Sequence, residues 1–270
     1  MAAPFQFFLL GSAVLLACFA AVSESHDDGI KFGYSESNGP DKWGSTCANG
    51  KAQSPINIVT DKVVKNNKLK PLVRYYLATN ATLINSGYNI GMKYNHDVGV
   101  LNVEGKNYTL AQMHWHTPSE HQIDGEQFPA ELHLVHMCDD GTLAVVGILF
   151  KYGKPDPFLS KLKDELEELG KEKCQKDEES KIEIEKVNVK YLRKNNKKFY
   201  RYIGSLTTPP CTENVMWNIL TKVRTTISKE QVELLQAPLV GEYKKNFRPV
   251  QPLNSRKVEL YNKTEDENDN

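Results

Sequence analysis

The sequence is expected to fold as a mainly β protein of the α+β class, with a few short helices. Three observations lead there. Between Leu72 and Leu110 the runs LVRYY, ATLINSGYNIGMKY, VGVLNV and YTLAQM alternate apolar with polar residues and are punctuated by Asn and Gly. That is the pattern of short strands joined by turns. Leu143–Phe150, LAVVGILF, is nearly all apolar and reads as a strand buried on both faces. Helical spacing is confined to two short segments.

In chain order, the apolar run FFLLGSAVLLACFAAV is followed by small residues. Residues 1–23 therefore read as a secretory signal peptide, although its start lacks Lys and Arg. The folded domain is expected over 24–260. Residues 24–45 read as an irregular arm with a turn at Asn38-Gly39-Pro40. Asp156-Pro157 signals a helix start, and Leu159, Leu162, Leu166 and Leu169 follow at helical spacing. Residues 171–190 are densely charged and read as a solvated loop. Tyr200–Ser205 and Val215–Thr221 read as strands, and Ser228-Lys-Glu-Gln231 as a capping box opening a helix to about Gln236. Residues 261–270 are polar and acidic and are expected to form a disordered tail.

The 270 residues are 40% hydrophobic and 25% charged with zero net charge. This suits one domain, or at most two, and gives no support for nucleic-acid binding. No segment after the signal is long and apolar enough to span a bilayer, so no membrane association is expected after cleavage. Oligomeric state is left open. Beyond Cys18 in the signal, Cys47, Cys138, Cys174 and Cys211 remain, and their spacing allows three complete pairings. Asn80, Asn107 and Asn262 each begin a glycosylation sequon. The expected destination is the secretory pathway and the extracellular space or apoplast.

The chemistry concentrates in Gln112–His136, QMHWHTPSEHQIDGEQFPAELHLVH, which holds five of the seven histidines. Side chains two apart on a strand share a face. His114 and His116 therefore point one way and Trp115 the other. Glu131, His133 and Val135 share a face of a second strand, and His136 points away. If those faces meet, three imidazoles converge with a fourth position open, as at a catalytic zinc site. A metal-bound His needs an acceptor for its other nitrogen; Glu131 and Gln112 are the candidates. Spacing alone would suit a cupin-like metal barrel as well.

The wording HWHTPSEH, then AELHLVH, and GSLTTPP about ninety residues later resembles the alpha-class carbonic anhydrases, from about Phe32 to Leu260. The resemblance implies a large twisted, mainly antiparallel sheet of about ten strands with short peripheral helices. It implies Zn2+ on His114, His116 and His133, and reversible hydration of carbon dioxide to bicarbonate. Thr207, donating to Glu120, would orient the metal-bound hydroxide for attack. Val135, Val145, Leu206 and Trp217 match the apolar substrate wall, Thr208 a neighbouring substrate contact, and Tyr34 a member of the surrounding hydrogen-bonded network. His121 and His136 read as structural histidines rather than ligands. Tyr88, in Asn85-Ser-Gly-Tyr88, stands where fast members carry a proton-shuttling His. Secreted relatives pair cysteines at the positions of Cys47 and Cys211; Cys138 and Cys174 stay unassigned. The wording resembles the plant branch, where delivery to the chloroplast stroma through the secretory route is an alternative destination. A non-catalytic storage or binding protein of this family is the rival function.

Overall fold

The structure, a computed structural model, describes residues 32–94, 98–171, 179–189, 192, 198–221 and 226–263. The expected signal segment, Cys174 and residues 264–270 lie outside the described residues.

One mixed sheet of 13 strands dominates, with a second sheet of three short strands beside it. Its continuous path runs Ser180–Asn188, Ala78–Asn85, Ile90–Tyr94, Lys106–His116, Ala130–Met137, Leu143–Tyr152, Glu213–Leu220, Lys198–Ser205, Glu259–Asn262, Val64–Lys65. The mainly β expectation holds, with more strands than the expected ten. Most pairings are antiparallel. Leu143–Tyr152 with Glu213–Leu220 is one parallel exception.

The two strands richest in histidine lie at the centre of that path. The neighbouring strand Leu143–Tyr152 is buried over its first eight residues, which is why it lacks alternation. Its two faces supply two different cores. Val146, Ile148 and Phe150 face a large cluster with Leu132, Leu134 and Trp115. Val145 and Leu149 face a second cluster with Val135, Tyr202 and Trp217. A third, aromatic cluster of Phe32, Trp43 and Tyr88 surrounds the disulfide Cys47–Cys211.

Several sequence expectations need correction. The charged segment within 171–190 is not simply a loop: Ser180–Asn188 pairs antiparallel with Ala78–Asn85. Ile182 and Ile184 are half-buried while Lys181, Glu183 and Glu185 are exposed, the habit of a charged edge strand. The segment after Asp156 begins with a 3-10 turn, Leu159–Lys161, and only Lys163–Lys171 is α-helical. Asp156 Oδ1 accepts from the N–H groups of Phe158 and Leu159, and all four leucines are buried. The sheet continues through Asn262, two residues into the expected tail. The capping box at Ser228 is present and opens the helix Lys229–Gln236.

Candidate metal centre

In the pairing of Lys106–His116 with Ala130–Met137, His133 lies directly opposite His114, and Glu131 opposite His116. Directly opposed residues share a face, so the three imidazoles converge. Their ligand atoms lie within 4.8 Å of one another. Trp115 turns to the other face and stacks on Phe158. A bulge falls between Val135 and His136. His136 sits behind the sheet, with Nε2 2.6 Å from Tyr76 Oη and Nδ1 donating to Ala144 O at 3.1 Å. It takes no part in the cluster.

Each converging ring is held from behind. His114 Nδ1 is 2.9 Å from Gln112 Oε1, His133 Nε2 is 2.9 Å from Glu131 Oε1, and His116 Nδ1 is 2.5 Å from Asn246 O. All three acceptors require an N–H on that nitrogen. The nitrogens left with lone pairs are His114 Nε2, His116 Nε2 and His133 Nδ1, and these face one another. Glu131 and Gln112 thus both serve, on different histidines.

Glu131 does more than hold His133. Its Oε1 also accepts from His121 Nδ1 at 2.7 Å, and its Oε2 accepts from the N–H groups of Glu120 and His121 at 3.0 and 2.8 Å. Burial opposes its ionisation. His121 and His133 beside it and their hydrogen bonds outweigh that and hold it well below the ordinary carboxylate range. His121 is fixed on its far side by Tyr202 Oη at 2.7 Å, itself 2.8 Å from Ser54 Oγ. This makes His121 a structural histidine, bonded through Glu131 to the cluster.

The donor set fits a divalent ion that accepts nitrogen ligands. Burial lowers the pKa of all three rings, His116 to about 4, so they are neutral and able to ligate. His116 Nε2 is buried with no hydrogen-bond partner among the described residues, 3.5 Å from Glu120 Oε2. A buried lone pair left unmatched is costly, and a cation at the centre of the three rings would satisfy it.

Glu120 is also buried, which raises its pKa in the metal-free protein to about 7; His133, the Arg248 N–H and the Thr207 hydroxyl pull the other way. Arg248 N donates to Glu120 Oε1 at 2.9 Å. The pocket above the rings is lined by His114, His133, Gln112 and Thr207, and by Val135, Val145, Leu206, Thr208 and Trp217. All five residues expected to contact substrate therefore border it. Tyr88 and Asn89 complete the wall. Tyr88 is only 4% exposed and packs edge-on against Phe32, so it is walled in rather than reaching solvent. The Tyr34 hydroxyl is buried with no hydrogen-bond partner among the described residues.

The match to known proteins agrees with this geometry. Residues 38–262 match the family model described as eukaryotic-type carbonic anhydrase. This chain belongs to that family. It is 38% identical to alpha carbonic anhydrase 7 of Arabidopsis thaliana over 266 residues, 94% of each chain. Among solved structures it is similar to dioscorin complexed with ascorbate, with a TM-score of 0.83 and 37% identity over 87% of this chain and all of that one. It is also similar to the alpha-carbonic anhydrase of Thermovibrio ammonificans in complex with the inhibitor sulfanilamide, with a TM-score of 0.75 and 36% identity over 86% of this chain and all of that one.

Two residues of this carbonic anhydrase fold escape the sequence reading. Asn246 and Arg248, from the segment Asn246-Phe-Arg248, act on the cluster through a main-chain carbonyl and a main-chain N–H. Every residue but proline has both groups, so composition and spacing carry no sign of them. The Arg248 side chain is more informative. It is 1% exposed and donates to Gln53 Oε1, Ser54 O and Cys47 O. A lone Arg between apolar and proline residues is a sequence hint of such a buried tie.

Proposed function

We propose that this protein catalyses the reversible hydration of carbon dioxide to bicarbonate and a proton, with zinc held by His114, His116 and His133. The observation that carries the reading is the set of three inward-facing imidazole nitrogens, each locked by an acceptor behind it. When bound, zinc would supply Lewis acidity that lowers the pKa of a water toward neutrality, an effect for which carbonic anhydrase is itself the standard example. The protein's part is orientation and exclusion of water. The Thr207 hydroxyl would donate a hydrogen bond to Glu120, leaving its oxygen lone pairs free to accept from an oxygen held at the metal. Arg248 N–H keeps Glu120 in place for this. Val135, Val145, Leu206 and Trp217 offer a small apolar substrate a dry wall, and Thr208 stands beside it. Gln112, Glu131 and Asn246 keep the rings in the ligating tautomer.

The test is zinc stoichiometry on the purified protein together with a sulfonamide-sensitive hydration assay. One zinc per chain with hydration above background is expected; one zinc and no hydration would overturn the catalytic reading. A second reading, a small-molecule-binding or storage protein, is favoured by the similarity to the dioscorin crystallised with ascorbate. Ascorbate binding measured by calorimetry on the same preparation separates the two. We also propose passage through the secretory route. The disulfide suits an oxidising compartment, and Asn80, Asn107 and Asn262 are all exposed. An unchanged mass after glycosidase treatment of natively expressed protein would count against glycosylation.

A further inference from the structure

We propose that the Asn246 side chain is a positioning residue that sets the pocket wall carrying Tyr88 against the metal strand. The inference rests on the zinc reading above only for its zinc-stoichiometry and ligand-binding arms; the exchange arm stands apart from it.

The wall is the turn between the strands Ala78–Asn85 and Ile90–Tyr94. Gly87 sits there at φ 84°, a left-handed conformation that a side chain would strain. The turn closes on itself: Ser86 N donates to Asn89 O at 3.1 Å, and Ser86 Oγ to Asn89 Oδ1 at 2.9 Å. Two asparagines tie it to the body. Asn85 Oδ1 accepts from Gly87 N at 2.9 Å while Asn85 Nδ2 donates to Pro238 O at 2.9 Å. Asn246 Nδ2 donates to Tyr88 O at 3.0 Å and also to Trp115 O at 3.2 Å. Asn246 Oδ1 accepts from Thr117 N at 2.9 Å.

Trp115 and Thr117 flank His116, whose ring bonds to the carbonyl of the same Asn246. One residue, 1% exposed, thus holds a metal-site histidine through its main chain and the pocket wall through its side chain. The two roles are chemically separable. Substituting the side chain removes the hold on Tyr88 and leaves the carbonyl that His116 needs. Asn246 therefore acts on the wall and on what the pocket accepts, rather than on metal retention.

The test uses the full chain with Asn246→Ala. Zinc stoichiometry should remain that of wild type. Amide exchange across Ser86–Asn89 should rise by about tenfold or more, with Ala130–Met137 unchanged. Affinity for benzenesulfonamide, an aromatic probe for the pocket that Tyr88 and Asn89 line, should fall about tenfold, while affinity for thiocyanate, a three-atom anion, should stay within about twofold. Unchanged exchange in the turn, or parallel loss of both ligands together with zinc, would overturn the proposal. The exchange arm reads out even if the protein hydrates no carbon dioxide. Asn246→Asp gives a second check: it keeps the acceptor for Thr117 N and loses the donors to Tyr88 O and Trp115 O, so the Tyr88 turn should lose protection while the Thr117 N–H keeps it. If neither variant folds, the wild-type protein decides. In it, the Tyr88–Asn89 amides should exchange only together with the Thr117 N–H, through one opening that breaks the Asn246 side-chain bonds to both, and exchange at Tyr88–Asn89 well ahead of Thr117 would overturn the tie.

Discussion

Replacing Glu131 by Gln preserves shape and removes one acceptor, and the structure says why that matters. Oε1 accepts from two imidazoles and Oε2 from two backbone N–H groups. Either orientation of the new amide sets its NH2 against two donors. The backbone amides cannot change, so facing them leaves buried donors unmatched. Facing the rings is relieved only if the imidazoles move their protons. For His133 that places the proton on Nδ1, the nitrogen turned toward the other two ligands, where it blocks a metal. An unmatched buried donor costs about 1–3 kcal/mol, so the metal-free fold should lose about 2–6 kcal/mol. Zinc affinity should fall by at least the roughly 10–100-fold seen when such outer partners are removed. Chelator competition measures the affinity, and denaturation of the metal-free protein measures the stability. Gln112→Leu removes a single acceptor from His114 and should sit at the low end of the same range. If Glu131→Gln binds zinc like wild type, the tautomer argument is wrong.

Four further outcomes follow from the same contacts. His133→Ala should lose metal and activity together, whereas His136→Ala should keep metal; equal metal loss by elemental analysis would break the facing argument. Burial holds His136 at about 3 in the folded state, against about 6.5 unfolded. The unfolded chain therefore takes up a proton first, and stability should fall by up to about 1.4 kcal/mol per pH unit between those values. His136→Gln should flatten that slope in denaturant titrations, and an unchanged slope would assign it elsewhere. A Tyr titrates near 10 and a His near 6.5, so Tyr88→His should raise turnover in dilute buffer with little change in kcat/KM. Wild-type turnover that is already fast and indifferent to buffer would refute the expectation that, without a His at position 88, proton export to solvent limits turnover. Replacing both Cys47 and Cys211 by Ser should cost at most about 5 kcal/mol, read as a shift in denaturation midpoint.

The convergence of the three histidines was legible because parity is local. His114, His116 and His133 fall within twenty residues, on strands whose period of two fixes their faces before any tertiary fact is known. His136 could be set aside for the same reason. Thr207 and Glu120 were legible only through wording shared with a family, since a Thr before two prolines is otherwise a turn residue. The edge strand Ser180–Asn188 was hidden by its charges: K-I-E-I-E alternates cleanly, but the surrounding lysines and glutamates dominate the composition. Asn246 and Arg248 were illegible because their groups belong to the main chain and their partners lie more than a hundred residues away.

That distance has a consequence during synthesis. The three histidines leave the ribosome on two adjacent strands, followed only much later by the segment that finishes their surroundings. At roughly 5–20 residues per second, the gap from His133 to Arg248 is on the order of ten seconds. In that interval a nascent chain owns all three ligands but lacks the acceptor for His116, the N–H that fixes Glu120, and the tie that sets the Tyr88 turn. On the zinc reading, the ligands are therefore made well before the site is complete, and the later segment Asn246–Arg248 turns a pair of histidine-bearing strands into an organised site. A truncation ending before Asn246 is in effect a snapshot of that immature stage.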